Sequence, residues 1–299
     1  MPLTVTDTIP ASFFPSFDVL RPAVPAAPFV FSSPHSGNIY PPEFLAQSRL
    51  DPLALRKSED CFVDRLFASV ARLGAPLISA RFPRAYLDLN REPYELDPEL
   101  IEEPLPAHAN SQSIRVAGGL GTVARVVSDG EEIYRERLSL QAVLQRIDRL
   151  YFPFHTELTS LIDDARRRFG YAILIDCHSM PSTAMSPGSG PRPDVVIGDR
   201  FGASADQRLS QAVREAFQAR GYQVQMNRPY AGGFITEHHG RPAASVHAVQ
   251  LEINRGLYMH ERTLRENSGY ARLEADITAI AAALFSSVPA IFETRAAAE

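Results

Sequence analysis

The chain has 299 residues, 45% of them hydrophobic and 22% charged, with a formal charge of −5, 2 cysteines and no tryptophan. This composition excludes wholesale disorder and fibrous repeats, and the length is ample for a buried core. Thirty Lys+Arg against thirty-five Asp+Glu give no basic field for nucleic acid or an anionic membrane, and two cysteines cannot frame a disulfide scaffold.

Residues 1–28 are rich in Pro, Ser and Phe and keep no sustained period. They read as a surface arm, with Phe13, Phe14 and Phe17 docked in apolar grooves. The opening stretch has neither a basic nor an apolar signal region, and no run approaches the ~18 consecutive apolar residues of a membrane span. A cytoplasmic protein with no membrane partner is expected.

Residues 29–290 read as one domain. Short apolar runs bounded by turn residues predict buried strands at Phe29–Phe31, Pro76–Ile78, Tyr86–Leu89, Ala172–Ile175, Val195–Ile197, Gln223–Met226 and Ala248–Leu251. Apolar residues at helical spacing fall between them, from Cys61 to Val70, Leu138 to Ile162, 205–220 and 262–285. Strands alternating with helices predict an α/β fold, a mixed sheet with helices on both faces. The segment 92–130, with Glu92, Glu95, Glu99, Glu102 and Glu103, reads as a solvated acidic cover or a lid.

Four of the apolar runs end in or carry polar clusters, and in open α/β sheets active groups gather where strands end. His35 and His178 each follow a strand and precede a serine. Two histidines at equivalent strand ends, with an acid nearby, suit a zinc or other divalent metal site that keeps a position for water. Asp60 is the acidic candidate, with its neighbour Glu59 as the alternative; either could instead be a helix-start acid. Asp176 and Ser179 are placed to orient a ligand histidine. Glu252, flanked by Leu251 and Ile253, is costly to bury unless paired with Arg255 or Arg91, or used as a general base. Asn90, Arg91 and Arg255 are candidates for gripping a carboxylate. Gly232-Gly233 reads as a loop whose backbone approaches something closely. Strand alternation points Cys177 into the core, and His238-His239 reads as an exposed polar loop. No G-x-S-x-G, H-E-x-x-H, C-x-x-C or P-loop pattern is present.

These residues, taken in order, resemble the N-formylglutamate amidohydrolase family. The matching stretches are Ser33-Pro-His-Ser-Gly37 with Tyr40-Pro41, Asp60 with Asp64 and Leu66, Asp88-x-Asn-Arg91, Asp176-Cys-His-Ser-Met-Pro181, Pro193 to Gly198, Asn227 to Phe234, and Gln250-Leu-Glu-Ile-Asn-Arg255 with Tyr258-Met259. The resemblance implies a phosphorylase/hydrolase-like, zinc-carboxypeptidase-like sheet and makes 29–290 the catalytic domain. It further implies that His35, Asp60 and His178 hold zinc, that Glu252 is base and proton shuttle with Arg91 assisting, and that Asn90 and Arg91 hold a substrate carboxylate; Arg255, Gly232 and Gly233 are expected at the substrate on their own chemistry. Carboxypeptidases use H-x-x-E, whereas Ser36, Gly37 and Asn38 follow His35, so the acidic ligand must come from farther along. The implied reaction is hydrolysis of N-formyl-L-glutamate to L-glutamate and formate, a histidine-degradation step. The alternatives are the same chemistry on another N-acyl amino acid or small peptide, or a catalytically silent binding homologue.

Overall fold

The computed structural model describes residues 9–127, 130–184 and 192–296. The first eight residues of the expected arm, and residues 128–129 of the acidic segment, therefore lie outside the described residues. The chain divides into two compact units: Met1–Asp18 with Pro34–Glu59 and Ala80–Glu157, and Val19–Ser33 with Asp60–Ser79 and Leu158–Glu299.

The second unit is built on a seven-stranded sheet. Its strands are β1 (Phe17–Leu20), β2 (Phe29–Ser33), β3 (Leu77–Ala80), β4 (Ala172–Met180), β5 (Val195–Gly198), β6 (Val224–Met226) and β7 (Val246–Asn254), in the order β1-β3-β2-β4-β7-β5-β6. β3, β2, β4 and β7 run parallel, and β5 reverses against β7. β4 and β7 are buried at all nine positions each, as central strands of a covered sheet must be. Their pleat sorts the side chains. Ile173, Ile175 and Cys177 of β4, with Val249, Leu251 and Ile253 of β7, join one apolar cluster. Asp176 and His178, with Gln250 and Glu252, are thereby turned to the other face. Cys177 is a core thiol, as its alternation predicts, and burial pushes its pKa up.

Helices α1 (Phe152–Phe169), α2 (Gln207–Gln218) and α3 (Tyr270–Ala296) are the longest among the described residues. By length and composition Tyr270–Phe292 would suffice to cross a membrane, which a search for unbroken apolar runs passes over. Its stripe of Leu273, Ile277, Ile280, Ala281, Leu284 and Val288 nevertheless lies in the core cluster, and Phe285 stacks on Phe29 with ring centres 4.7 Å apart. That one face packs on the core of this unit.

The first unit packs around aromatic rings. Phe13 is fully buried against Phe82 and Tyr86, and Phe44 meets Tyr86 edge-on at 5.1 Å. Arg146 lies 3.8 Å over the Tyr86 ring and donates to the Tyr134 hydroxyl at 2.6 Å. Of the arm phenylalanines, Phe14 is exposed. Residues Tyr86–Leu89 form turns, not the expected strand. The Pro83 carbonyl accepts from Tyr86 N and Leu87 N, and Asp88 N donates to Thr122 O, so this backbone is satisfied locally. The acidic segment is not uniformly solvated. Glu95 and Asp97 are buried, with Asp97 2.8 Å from Arg125.

Asp206 caps α2, accepting from Arg208 N at 2.9 Å and pairing with its guanidinium at 2.8 Å. The hydrogen bond to Arg208 leads in pulling its carboxyl down to about 2. A depressed carboxyl stabilises the fold above its unfolded pKa of about 3.9 and loses that contribution as pH falls through the folded value. Asp206→Ala should therefore cost about 1 kcal/mol at pH 7 in urea unfolding. The gap to the parent chain should close between about pH 4 and pH 2.

Candidate metal centre

In the second unit the register of β4 with β7 sets Asp176 beside Gln250 and His178 beside Glu252. His178 is held at both ring nitrogens. Nε2 lies 2.8 Å from Asp176 Oδ2, and Nδ1 lies 3.0 Å from Asp60 Oδ2. The other Asp60 oxygen, Oδ1, accepts from Ser179 Oγ at 3.0 Å and from Arg255 Nη2 at 3.2 Å, and Arg255 Nε donates to Ser179 Oγ at 3.0 Å. Burial works against charge on His178, but Asp176, Asp60 and Glu252 outweigh it and hold its pKa well above the ordinary imidazole range. Arg255, expected to grip a substrate, is buried and committed to Asp60 and Ser179.

Glu252 Oε1 accepts from Gln250 Nε2 at 2.8 Å, and Gln250 Oε1 accepts from Gly233 N at 2.7 Å. What the Gly232-Gly233 backbone approaches is thus β5 and β7. Gly232 takes a φ of +114°, and a Cβ on Gly198 would lie 2.6 Å from Ala231 C and Gly232 N. The following residues, Phe234–His239, form a short helix in which His239 is buried and His238 exposed, which corrects the reading of both histidines as an exposed loop.

In the first unit His35 Nε2 lies 2.8 Å from Asp88 Oδ1. The turn that carries it is tight, because a Cβ on Gly37 would lie 2.0 Å from Phe82 O. Asp88 also accepts from Asn90 N at 2.8 Å and Arg84 Nε at 2.9 Å, with Arg91 Nη2 at 3.6 Å. Burial alone would raise its pKa, but Arg84, Arg91 and His35 hold the carboxyl well below the usual range. Arg91 donates Nε to Leu120 O and Nη1 to Asn90 O, and burial lowers its pKa. Tyr151 Oη donates to Arg91 O at 2.7 Å, and His155 Nε2 lies 2.9 Å from Leu89 O, so α1 and the turn before it brace this loop. Glu59 serves a different purpose from Asp60. It accepts from Arg56 Nε and Nη2 at 2.8 and 3.0 Å and from Tyr40 Oη at 3.2 Å.

Among the described residues, Asp60 and His178 of the second unit and His35 of the first are each buried and each offer a ligand atom of the kind a metal ion takes. The donor chemistry fits: two imidazoles, each oriented by a carboxylate on Nε2, and one carboxylate oxygen. On both rings Nδ1 is the nitrogen opposite that carboxylate, and on His178 it lies 3.0 Å from Asp60 Oδ2. Sequence reasoning passes over Asp88 and Gln250 as working residues. The signal for each was alternation, since both stand two places from a chosen residue on a polar-alternating run.

The family model described as N-formylglutamate amidohydrolase matches residues 27–259. An N-formylglutamate deformylase of Pseudomonas aeruginosa is 32% identical over 240 residues, covering 79% of this chain and 83% of that protein. One from Pseudomonas putida is 28% identical over 237 residues, covering 78% and 82%. The solved structure of an N-formylglutamate amidohydrolase from Ralstonia eutropha JMP134 is 35% identical with a TM-score of 0.85, covering 91% of this chain and 97% of that one.

The separate surroundings of the two neighbouring acids give a direct test by titration calorimetry with a divalent metal. Asp60→Asn should weaken metal binding by more than about 100-fold, beyond what loss of a supporting carboxylate costs. Glu59→Gln should leave it within about threefold of the parent.

Proposed function

The chain belongs to the N-formylglutamate amidohydrolase family, and from that premise we propose that it hydrolyses N-formyl-L-glutamate to L-glutamate and formate. In this reading His35, Asp60 and His178 hold a divalent metal ion, zinc first, and Glu252 is the general base. The observation that carries the reading is the pairing of His178, held between Asp60 and Asp176, with Glu252 directly beside it in register on the next strand. A metal-ligating type of histidine and a buried acid side by side have no need of each other in a silent binding protein.

A zinc ion bound by two imidazoles and a carboxylate supplies Lewis acidity and acidifies water to a pKa of about 7. The chain's own residues do the rest. Asp88 and Asp176 fix the ring orientation of His35 and His178. Arg255 and Ser179 hold Asp60 by Oδ1, which leaves Oδ2 for the His178 side. Arg255 therefore serves the acidic ligand rather than the substrate. Glu252 takes the proton of the attacking water. It returns that proton to the amide nitrogen as the C–N bond breaks, so that formate leaves and glutamate keeps a free amine. Asn90 and Arg91 receive a substrate carboxylate, for which a guanidinium that is itself mostly buried loses little hydration on binding. Arg91 also steadies charge that develops on the formyl oxygen. Gly232 and Gly233 keep the loop near Glu252 free of side chains.

The reading is tested by following free glutamate released from N-formyl-L-glutamate. Chelator treatment should abolish turnover and added zinc should restore it, and Glu252→Gln should lower kcat by about 10²- to 10⁴-fold. N-acetyl- and N-succinyl-glutamate should be poor substrates. Turnover of either above that of the formyl compound would move the substrate to another N-acyl amino acid. Full activity without metal would remove the metal from the reaction.

A further inference from the structure

We infer that Gln250 is a positioning residue for Glu252, and that it ties the Gly232-Gly233 loop to the base. This rests on the reading of Glu252 as the general base. The polarity of the Gln250 amide is fixed from one side. Gly233 N is a backbone donor 2.7 Å from Oε1, so that atom must be the carbonyl oxygen and the other, Nε2, the NH₂ group. Nε2 can only donate, and it faces Glu252 Oε1 at 2.8 Å. One backbone N–H thus dictates, through one amide, a hydrogen bond to Oε1 of the Glu252 carboxylate.

Two further features make the arrangement a built one. Gln250 and Glu252 alternate on the same face of β7, opposite Asp176 and His178 of β4, so their side chains lie along one row. Gly198 of β5, paired with Gln250 in the antiparallel register, is the residue whose missing Cβ admits the loop. A side chain there would meet the backbone of Ala231 and Gly232 at 2.6 Å. The depth at which Gly233 sits, and so the direction of its N–H, is set by that contact. Gln250 is buried, and it touches neither Asp60 nor His178 through any hydrogen bond described above. Its effect on the reaction is therefore routed through Glu252.

The test is kinetic, on the purified enzyme with N-formyl-L-glutamate. Gln250→Met removes both hydrogen bonds. Gln250→Glu keeps an acceptor for Gly233 N and loses the donor to Glu252, so it carries the test should the first variant fail to fold. Each should lower kcat about 10- to 100-fold, the scale of a displaced catalytic group, with KM within about twofold. Placed in a Glu252→Gln background, neither should lower the remaining kcat by more than about twofold, because the group being positioned is gone. Unchanged kcat in the single variants, a loss confined to KM, or a full repeat of the loss in the Glu252→Gln background would each overturn the inference. Should Glu252→Gln alone keep full activity, the base assignment falls and the inference with it, a result that the other outcomes do not resemble.

Discussion

Along β4 and β7, Asp176 pairs with Gln250 and His178 with Glu252, so four polar side chains project from one face of two strands that are buried along their whole length. The opposite face of the same strands carries isoleucines, valine, leucine and Cys177 into the core. A slip of one residue in either strand would exchange the two sets, placing the carboxylates in the apolar cluster. The apolar cluster therefore fixes the register, and the register fixes the distance between His178 and Glu252. In this way the hydrophobic core specifies the chemistry.

Concentrating this much charge out of water is unfavourable unless every group has a partner. Asp60, Asp88, Asp176, His178, Glu252 and Arg255 are all buried, and each has a hydrogen-bonded neighbour of opposite or complementary polarity. The assignments are specific. The Nε2 atoms of His35 and His178 meet carboxylates, Asp60 divides its two oxygens between the Arg255–Ser179 side and His178, and Gln250 faces one donor and one acceptor. Each pair offsets part of the desolvation that burying its charges costs.

Much of this was legible in the sequence. His35, His178 and Glu252 stood out because an ionisable residue at the end of an apolar strand has to be explained. Cys177 could be sent to the core by counting in twos. Other features were not legible, for identifiable reasons. Adjacent acids such as Glu59 and Asp60 differ only in where their side chains point, which Arg56 and Tyr40 on one side and His178 and Ser179 on the other decide. Tyr86–Leu89 has the alternation of a strand, yet Pro83 and Thr122 satisfy its backbone as turns, and that places Asp88 against His35. Arg255 has the chemistry of a substrate clamp, and only the structure shows it buried against Asp60 and Ser179. The direction of the Gln250 amide is set by the backbone N–H of Gly233, which no local pattern in the sequence reveals. Phe17–Leu20 is a four-residue edge strand in which half-buried Phe17 and Val19 alternate with exposed Asp18 and Leu20, too short and too little buried to stand out in the sequence.

The proposed reaction depends on a metal ion held by Nδ1 of both histidines and by one oxygen of Asp60. The most direct measurement is anomalous diffraction from crystals of the zinc-loaded protein, recorded on both sides of the zinc absorption edge. The proposed centre should give a single strong peak about 2.0–2.2 Å from His35 Nδ1, His178 Nδ1 and Asp60 Oδ2. Arg255 should remain on Asp60 Oδ1. A peak on Nε2 of either histidine, on Glu59, or away from these residues altogether would contradict it.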